Sequence, residues 1–182
     1  MRYYLGLITI LVITLYSPVA SLGAIATPRV KDADQLRQLL ETNTCTGCDL
    51  REAKLEGAKL KGANLRGANL WSAQLMTAQL TQADLVNTIL RQANLINADL
   101  VDANLRSADL REAKLSDIFL TRADLRGAIL KNADLANAYL RGANLAGANL
   151  EGANLEGADW RNAILCNTTL PDGTVSNRDC QV

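Results

Sequence analysis

Ala63-Asn64-Leu65-Arg66-Gly67 runs straight into Ala68-Asn69-Leu70, and Ala143-Asn144-Leu145-Ala146-Gly147 repeats the pattern much later in the chain. Working outward, leucine fills every fifth position from Leu50 to Leu155, 22 in succession. Trp160, Leu165 and Leu170 keep the phase. Two residues before each of these, alanine stands at 21 of the 23 positions from Ala53 to Ala163, broken only by Thr88 and Ile118. A period of five suits neither regular element. In an α-helix five residues advance about 500°, so the leucines would spiral over the whole surface. In a flat strand side chains alternate, and five is odd, so successive leucines would face opposite ways. A coil that bends every five residues gives them one interior. Stacked coils then pair their backbone amides with the coils above and below, which is the logic of a solenoid.

The unit A-(D/N)-L-x-x resembles the pentapeptide-repeat family over roughly residues 48–170. That resemblance implies an all-β fold, a right-handed quadrilateral β-helix with four units to a coil. The 25 units then make about six coils, a rod ~30 Å tall at the strand spacing of ~4.8 Å. A large leucine beside a small alanine suits a narrow, close-packed bore. Glycine or asparagine two residues after many leucines (Gly57, Gly62, Gly142, Asn87, Asn97) tolerates the positive φ of a tight corner. Glycine is missing from the middle of the rod, which predicts mixed turn types there.

The ends differ from the repeats. Arg2, the apolar run Tyr3 to Tyr16 and the Ala24-Ile25-Ala26 cleavage pattern read as a secretory signal over 1–26, with Pro18-Val19-Ala20 a second cleavage candidate. An uncleaved anchor is the alternative, but the run is shorter than the ~20 residues of a span. Residues 27–47 form a linker and an N-terminal capping helix, expected over 32–43, with Leu36, Leu39 and Leu40 on one face. Such a helix closes the raw edge and open core that end a solenoid; a partner-binding helix is the alternative. Residues 48–170 are the β-helix and 171–182 a C-terminal tail.

Four cysteines, Cys45, Cys48, Cys166 and Cys180, are an even set in a chain bearing an export signal, which reads as disulfides. On the rod the resemblance implies, the two pairs lie at opposite ends, so one four-cysteine zinc site is excluded. Cys45 is expected to pair with Cys48 and Cys166 with Cys180, stapling the tail back over the far end with help from the Pro171-Asp172-Gly173 turn. Cys45-x-x-Cys48 is also the spacing of a redox or metal centre.

Function falls to the outward residues. Columns twenty residues apart read Arg51, Trp71, Arg91, Arg111, Lys131, Glu151 and Arg66, Val86, Arg106, Arg126, Ala146. A basic stripe suits an anionic partner, yet residues 48–170 hold 14 basic and 14 acidic residues, the mixture a solvated rod needs. Trp71, Met76, Val86, Ile89, Ile96 and Val101 point outward as a possible contact patch for a protein partner or a second copy; scattered strand-forming residues are the plainer reading. Phe119 and Tyr139 stack in another column. Histidine is absent, which removes histidine-based triads and metal sites. No phosphate-cradling loop appears. The expectation is a structural or protein-interaction rod, not an enzyme, with no cofactor, metal, nucleic acid or, after signal cleavage, membrane partner. The layout resembles exported cyanobacterial and lumenal members of the family, which implies a periplasmic or thylakoid-lumen location. A redox-responsive role through Cys45 and Cys48 is the alternative. DNA mimicry, which the resemblance to gyrase-protecting members brings in, needs a strongly acidic surface, and this one is balanced.

Overall fold

The computed structural model describes residues 30–180, so the signal expected over 1–26 lies outside the described residues. Helix α1 spans Val30–Thr42, and the only regular strands among the described residues are the short β1 (Thr168–Thr169) and β2 (Val175–Ser176). Between them the chain winds in coils. Each residue preceding a central leucine makes a parallel bridge to the residue twenty places on, in an unbroken series from Thr44–Asn64 to Asn149–Thr169. Twenty residues are four pentapeptides, so each coil has four sides. We number the sides by their central residues: first Leu65, Leu85 and onward; second Leu50, Leu70 and onward; third Leu55, Leu75 and onward; fourth Leu60, Leu80 and onward.

A full account of one unit's backbone donors explains the consensus. Around Leu100, the leucine N–H donates to Phe119 C=O (2.8 Å) and the Asp102 N–H to Thr121 C=O (3.1 Å), both in the next coil. Asp99 N–H donates back to Ala78 C=O (2.9 Å), and Ala103 N–H closes the corner onto Leu100 C=O (3.1 Å). One donor remains, the N–H of Val101, and Asp99 Oδ1 accepts it at 3.1 Å. Asn144 Oδ1 does the same for Ala146 N–H (3.1 Å). Asp or Asn before the leucine is therefore a local cap for the one amide the ladder leaves over.

The bore is solid. From Leu50 to Leu150 every central leucine is at most 2 % exposed. Thr88, standing in an alanine position, is wholly buried, and its hydroxyl donates to Leu85 C=O (2.6 Å) and Leu65 C=O (3.2 Å).

The corners are more uniform than the composition predicts. Every residue two places after a central position, from Glu52 to Asn167, has positive φ, including Thr77, Gln82, Glu112 and Arg122. Positive φ at the third residue alone is the requirement of a type II turn. The mixed turn types expected for the glycine-poor middle are not found. The ladder fixes the corner on both sides, and local preference yields to it.

Both ends are partly covered. At the first coil Leu39 of α1 is buried, Gln35 Oε1 accepts the Asp49 N–H (2.7 Å), and Asn43 Nδ2 donates to Lys61 C=O (2.8 Å). Leu40, expected on the buried face, is exposed instead. At the last coil β2 pairs antiparallel with β1 after the turn at Gly173 (φ +84°).

Candidate interaction surfaces

A filled bore leaves no internal chamber, so the sites are the outer sides, the ends and the disulfides. On the sides, an aspartate before a central residue grips the arginine after it. Arg111 Nε donates to Asp109 Oδ1 at 2.8 Å, Arg126 Nε to Asp124 Oδ1 at 2.8 Å, and Arg161 Nε to Asp159 Oδ1 at 2.7 Å. Arg51 and Asp49 repeat the arrangement. Other pairs run between coils, such as Arg122 with Asp102 and Lys131 with Glu151. These pairs displace titrations. Burial pushes the Asp109 carboxyl up, but the hydrogen bonds and charge of Arg111 outweigh it and hold it below its ordinary value. Arg126 lowers Asp124 and Arg161 lowers Asp159 in the same way, the arginine hydrogen bonds being the largest effect.

The two basic columns border the same side. Arg66, Arg106 and Arg126 line the corner entering the second side, and Arg51, Arg91, Arg111 and Lys131 the corner leaving it. Asp49, Asp109 and Glu151 oppose them within that strip, and Asp84 and Asp124 at its edge pair with Arg66 and Arg126.

The six residues of the expected contact patch do not lie together. Trp71 and Ile89 sit exposed on the second side, with Val86 half-buried at its entering corner and Ile129 exposed further along. Met76 and Ile96 share one column at the corner between the third and fourth sides, and Val101 stands at the far corner of the fourth. The second and fourth sides are opposite faces of the square. On the fourth, the Phe119 and Tyr139 rings stack with centroids 4.9 Å apart and planes 2° from parallel, both exposed. The sequence reading missed this split because it grouped residues by coil and not by column. The twenty-residue register was the signal that could have found it.

The cysteines pair within each end. Cys45 is bonded to Cys48 and Cys166 to Cys180. Cys45 is wholly buried and Cys48 nearly so, whereas Cys166 and Cys180 are partly exposed. A cleft of about 440 Å³ opens between Leu36 of α1 and Leu50 and Ala53 of the first coil. Among the described residues no cluster of acidic and cysteine side chains is placed to hold a metal ion, and no helix is long and apolar enough to cross a membrane.

Four-sided coils with an Ala/Leu interior define a class of solenoid. Eight copies of the pentapeptide repeats family model match the chain, over residues 45–78, 78–117, 103–142, 120–157 and 143–175. The chain belongs to the pentapeptide-repeat family. No curated protein matches it. Among solved structures it is similar to HetL, a pentapeptide-repeat protein involved in heterocyst differentiation regulation from the cyanobacterium Nostoc sp. strain PCC 7120. The identity is 33%, covering 73% of this chain and 78% of that one, with a TM-score of 0.46. Rfr23 from the cyanobacterium Cyanothece 51142 is 33% identical over 72% of this chain and 97% of that one, with a TM-score of 0.42. A pentapeptide-repeat protein from the Arabidopsis thaliana thylakoid lumen is 28% identical over 69% of this chain and 70% of that one, with a TM-score of 0.37.

Proposed function

We propose that this protein is an exported rod, wound right-handedly as its family membership implies, that binds a protein partner through its outer sides and performs no catalysis. One observation carries this reading: apolar side chains are presented to solvent on two opposite sides of a rod whose interior is already full. Trp71, Ile89 and Ile129 contribute nothing to the bore, and aromatic and arginine side chains side by side are the usual anchors of protein interfaces. The second side is the better candidate, because Trp71 stands at its leaving corner between Arg51 and Arg91, with the second arginine column at the opposite corner. Export is supported by the N-terminal sequence and by two disulfides, which persist in oxidising compartments, periplasm or thylakoid lumen.

The test compares proteins retained from the host's envelope and lumen fractions by the native chain and by two folded variants. Trp71→Ser/Ile89→Ser is expected to lose a partner that Met76→Ser/Ile96→Ser keeps. Identical retention by all three would remove the second side as the site.

The redox alternative rests on Cys45 and Cys48. Burial of both favours a structural bridge, since exchange needs a thiolate to reach the sulfur.

A further inference from the structure

The two ends of the solenoid are covered on the same half. At the first coil the α1 contacts reach Asp49 and Lys61, on the second side and at the corner entering the first. At the last coil Arg178 Nη2 donates to Ala163 C=O (2.7 Å) and Asp179 Oδ2 accepts the Leu165 N–H (3.2 Å), both on the first side. Among the described residues no hydrogen bond of α1 or of the tail reaches the third or fourth side at either end, although Ala33 and Leu36 of α1 lie beside Ala53 and Lys54 of the third side at the first coil.

The ladder shows which groups this leaves over. One coil before the end, Leu135 N–H donates to Asn154 C=O (2.8 Å), Asn137 N–H to Glu156 C=O (2.8 Å), and Ala133 C=O accepts from Asn154 N–H (3.0 Å). In the last coil nothing answers the equivalent groups. The N–H groups of Leu155, Gly157, Trp160 and Asn162, and the C=O groups of Ala153 and Ala158, have no partner among the described residues. Ala153 is buried and Leu155, Ala158 and Trp160 half-buried, where backbone groups call for partners, and an unpaired edge is a template for another strand.

The open ends are not equivalent. At the first coil the N–H groups of Lys54 and Lys59 also have no partner among the described residues, but Leu55 and Leu60 beneath them are 2 % and 1 % exposed. Lys54, Lys59 and Lys61 ring that edge, and lysines on an edge oppose strand addition. At the last coil Leu155, Ala158 and Trp160 are only partly buried, although Leu135, Ala138 and Leu140 one coil earlier are at most 1 % exposed. Among the described residues an open apolar floor and an unpaired edge coincide only at the last coil.

We propose that residues 153–162 form a strand-addition site for an extended segment of a partner protein. This inference is independent of the second-side reading. The segment runs parallel to the last coil, accepts from the four free N–H groups and donates to the two free C=O groups. It turns one small and one large aliphatic side chain inward per five residues. The pattern of donors and acceptors selects this occupant. A helix satisfies its own amides and has none to offer. A polyanion supplies acceptors but no donors for Ala153 and Ala158. The rim carries both signs, with Glu156 and Asp159 beside Arg161, and gives a polyelectrolyte no preference.

The probe is a ten-residue peptide with the sequence of residues 133–142, which fills the equivalent place one coil earlier, added to the full mature chain. Amide hydrogen exchange is followed at Leu155, Gly157, Trp160 and Asn162. Saturating peptide is expected to slow exchange there by about tenfold or more, and to leave Lys54 and Lys59 unchanged. Ala158→Glu, which sets a carboxylate on the apolar floor, abolishes the slowing. So does a peptide with both leucines, Leu135→Glu and Leu140→Glu, replaced; that arm stands even if the Ala158→Glu chain does not fold. Unchanged exchange at millimolar peptide, or equal slowing by a scrambled peptide, would overturn the proposal. So would amides already slow without peptide in a chain that sediments as a dimer, because a second copy would then be the occupant.

Discussion

Asp109 and Arg111 clasp each other across the buried Leu110. Arg111 Nε reaches Asp109 Oδ1 at 2.8 Å, and the same oxygen accepts the Arg111 N–H at 3.3 Å. One carboxylate thus caps a leftover amide and neutralises the neighbouring base. The triplet recurs at Asp49, Asp124 and Asp159. In the two basic columns Arg51, Arg111 and Arg126 are held this way, while Arg66, Arg91 and Lys131 pair with carboxylates of the next coil. This is why a chain with so many outward charges balances along its length.

The clasps set the response to acid. Asp102, Asp109, Asp124 and Asp159 all titrate below their ordinary value in the fold. A carboxyl depressed in the folded state stabilises it fully above its unfolded pKa, near 4, and loses that contribution as pH falls towards the folded value. Urea midpoints are expected to stay flat from about pH 8 to about pH 5 and to fall below about pH 4. Histidine is absent, so no group of that kind bends the curve at neutral pH. A midpoint that rose on acidification to pH 3 would contradict the clasps. Asp109 is half-buried but Arg111 is exposed, so Asp109→Asn, which keeps the amide cap, should cost about 1 kcal/mol.

The corners make a second prediction. Thr77 is β-branched and held at φ +56°, a conformation such residues rarely adopt. Thr77→Asn should stabilise the fold by roughly 0.5–1 kcal/mol, because asparagine tolerates that region. Gly67→Val tests the reverse. A Cβ at Gly67 meets nothing within 4 Å, so the left-handed backbone sets a loss of at least about 1–2 kcal/mol. Denaturant midpoints decide both. A neutral Gly67→Val would mean that the corner relaxes freely.

The two disulfides should differ in worth and in reach. Cys166–Cys180 closes a loop of sequence separation 14, and Cys45–Cys48 one of 3. The longer loop stabilises more in the chain-entropy account, by ~3 kcal/mol. Cys166→Ser/Cys180→Ser also frees Arg178 and Asp179 from the end of the rod. Its unfolding midpoint should drop more than that of Cys45→Ser/Cys48→Ser. Titration with a dithiol reductant under native conditions should open the tail bridge first, since Cys45 and Cys48 are buried. Opening in the other order would revive a redox role for the N-terminal pair.

The fold was legible because leucine at every fifth position admits one common interior, and an aspartate or asparagine before it has one amide to cap. The corners were not. Thr77 and Arg122 have no local preference for positive φ, and only the hydrogen bonds on either side of them impose it. The Asp-Leu-Arg triplets at 49, 109 and 124 were visible in the sequence and went unread, because a charge count hides which charges are neighbours. The apolar residues from Trp71 to Val101 face outward, exposed or half-buried. Whether they meet depends on position around the square, and they divide between opposite sides. The open half of the last coil could not be read at all, since it depends on which sides the tail crosses.

The account rests on residues twenty apart lying one above the other. Through-space contacts between backbone protons in a solution NMR spectrum test this directly. The structure predicts an unbroken run of contacts at that spacing, from Thr44 with Asn64 to Asn149 with Thr169. Contacts at a spacing of 15 or 25 residues, or the i to i+3 pattern of a helix through the leucine series, would contradict it.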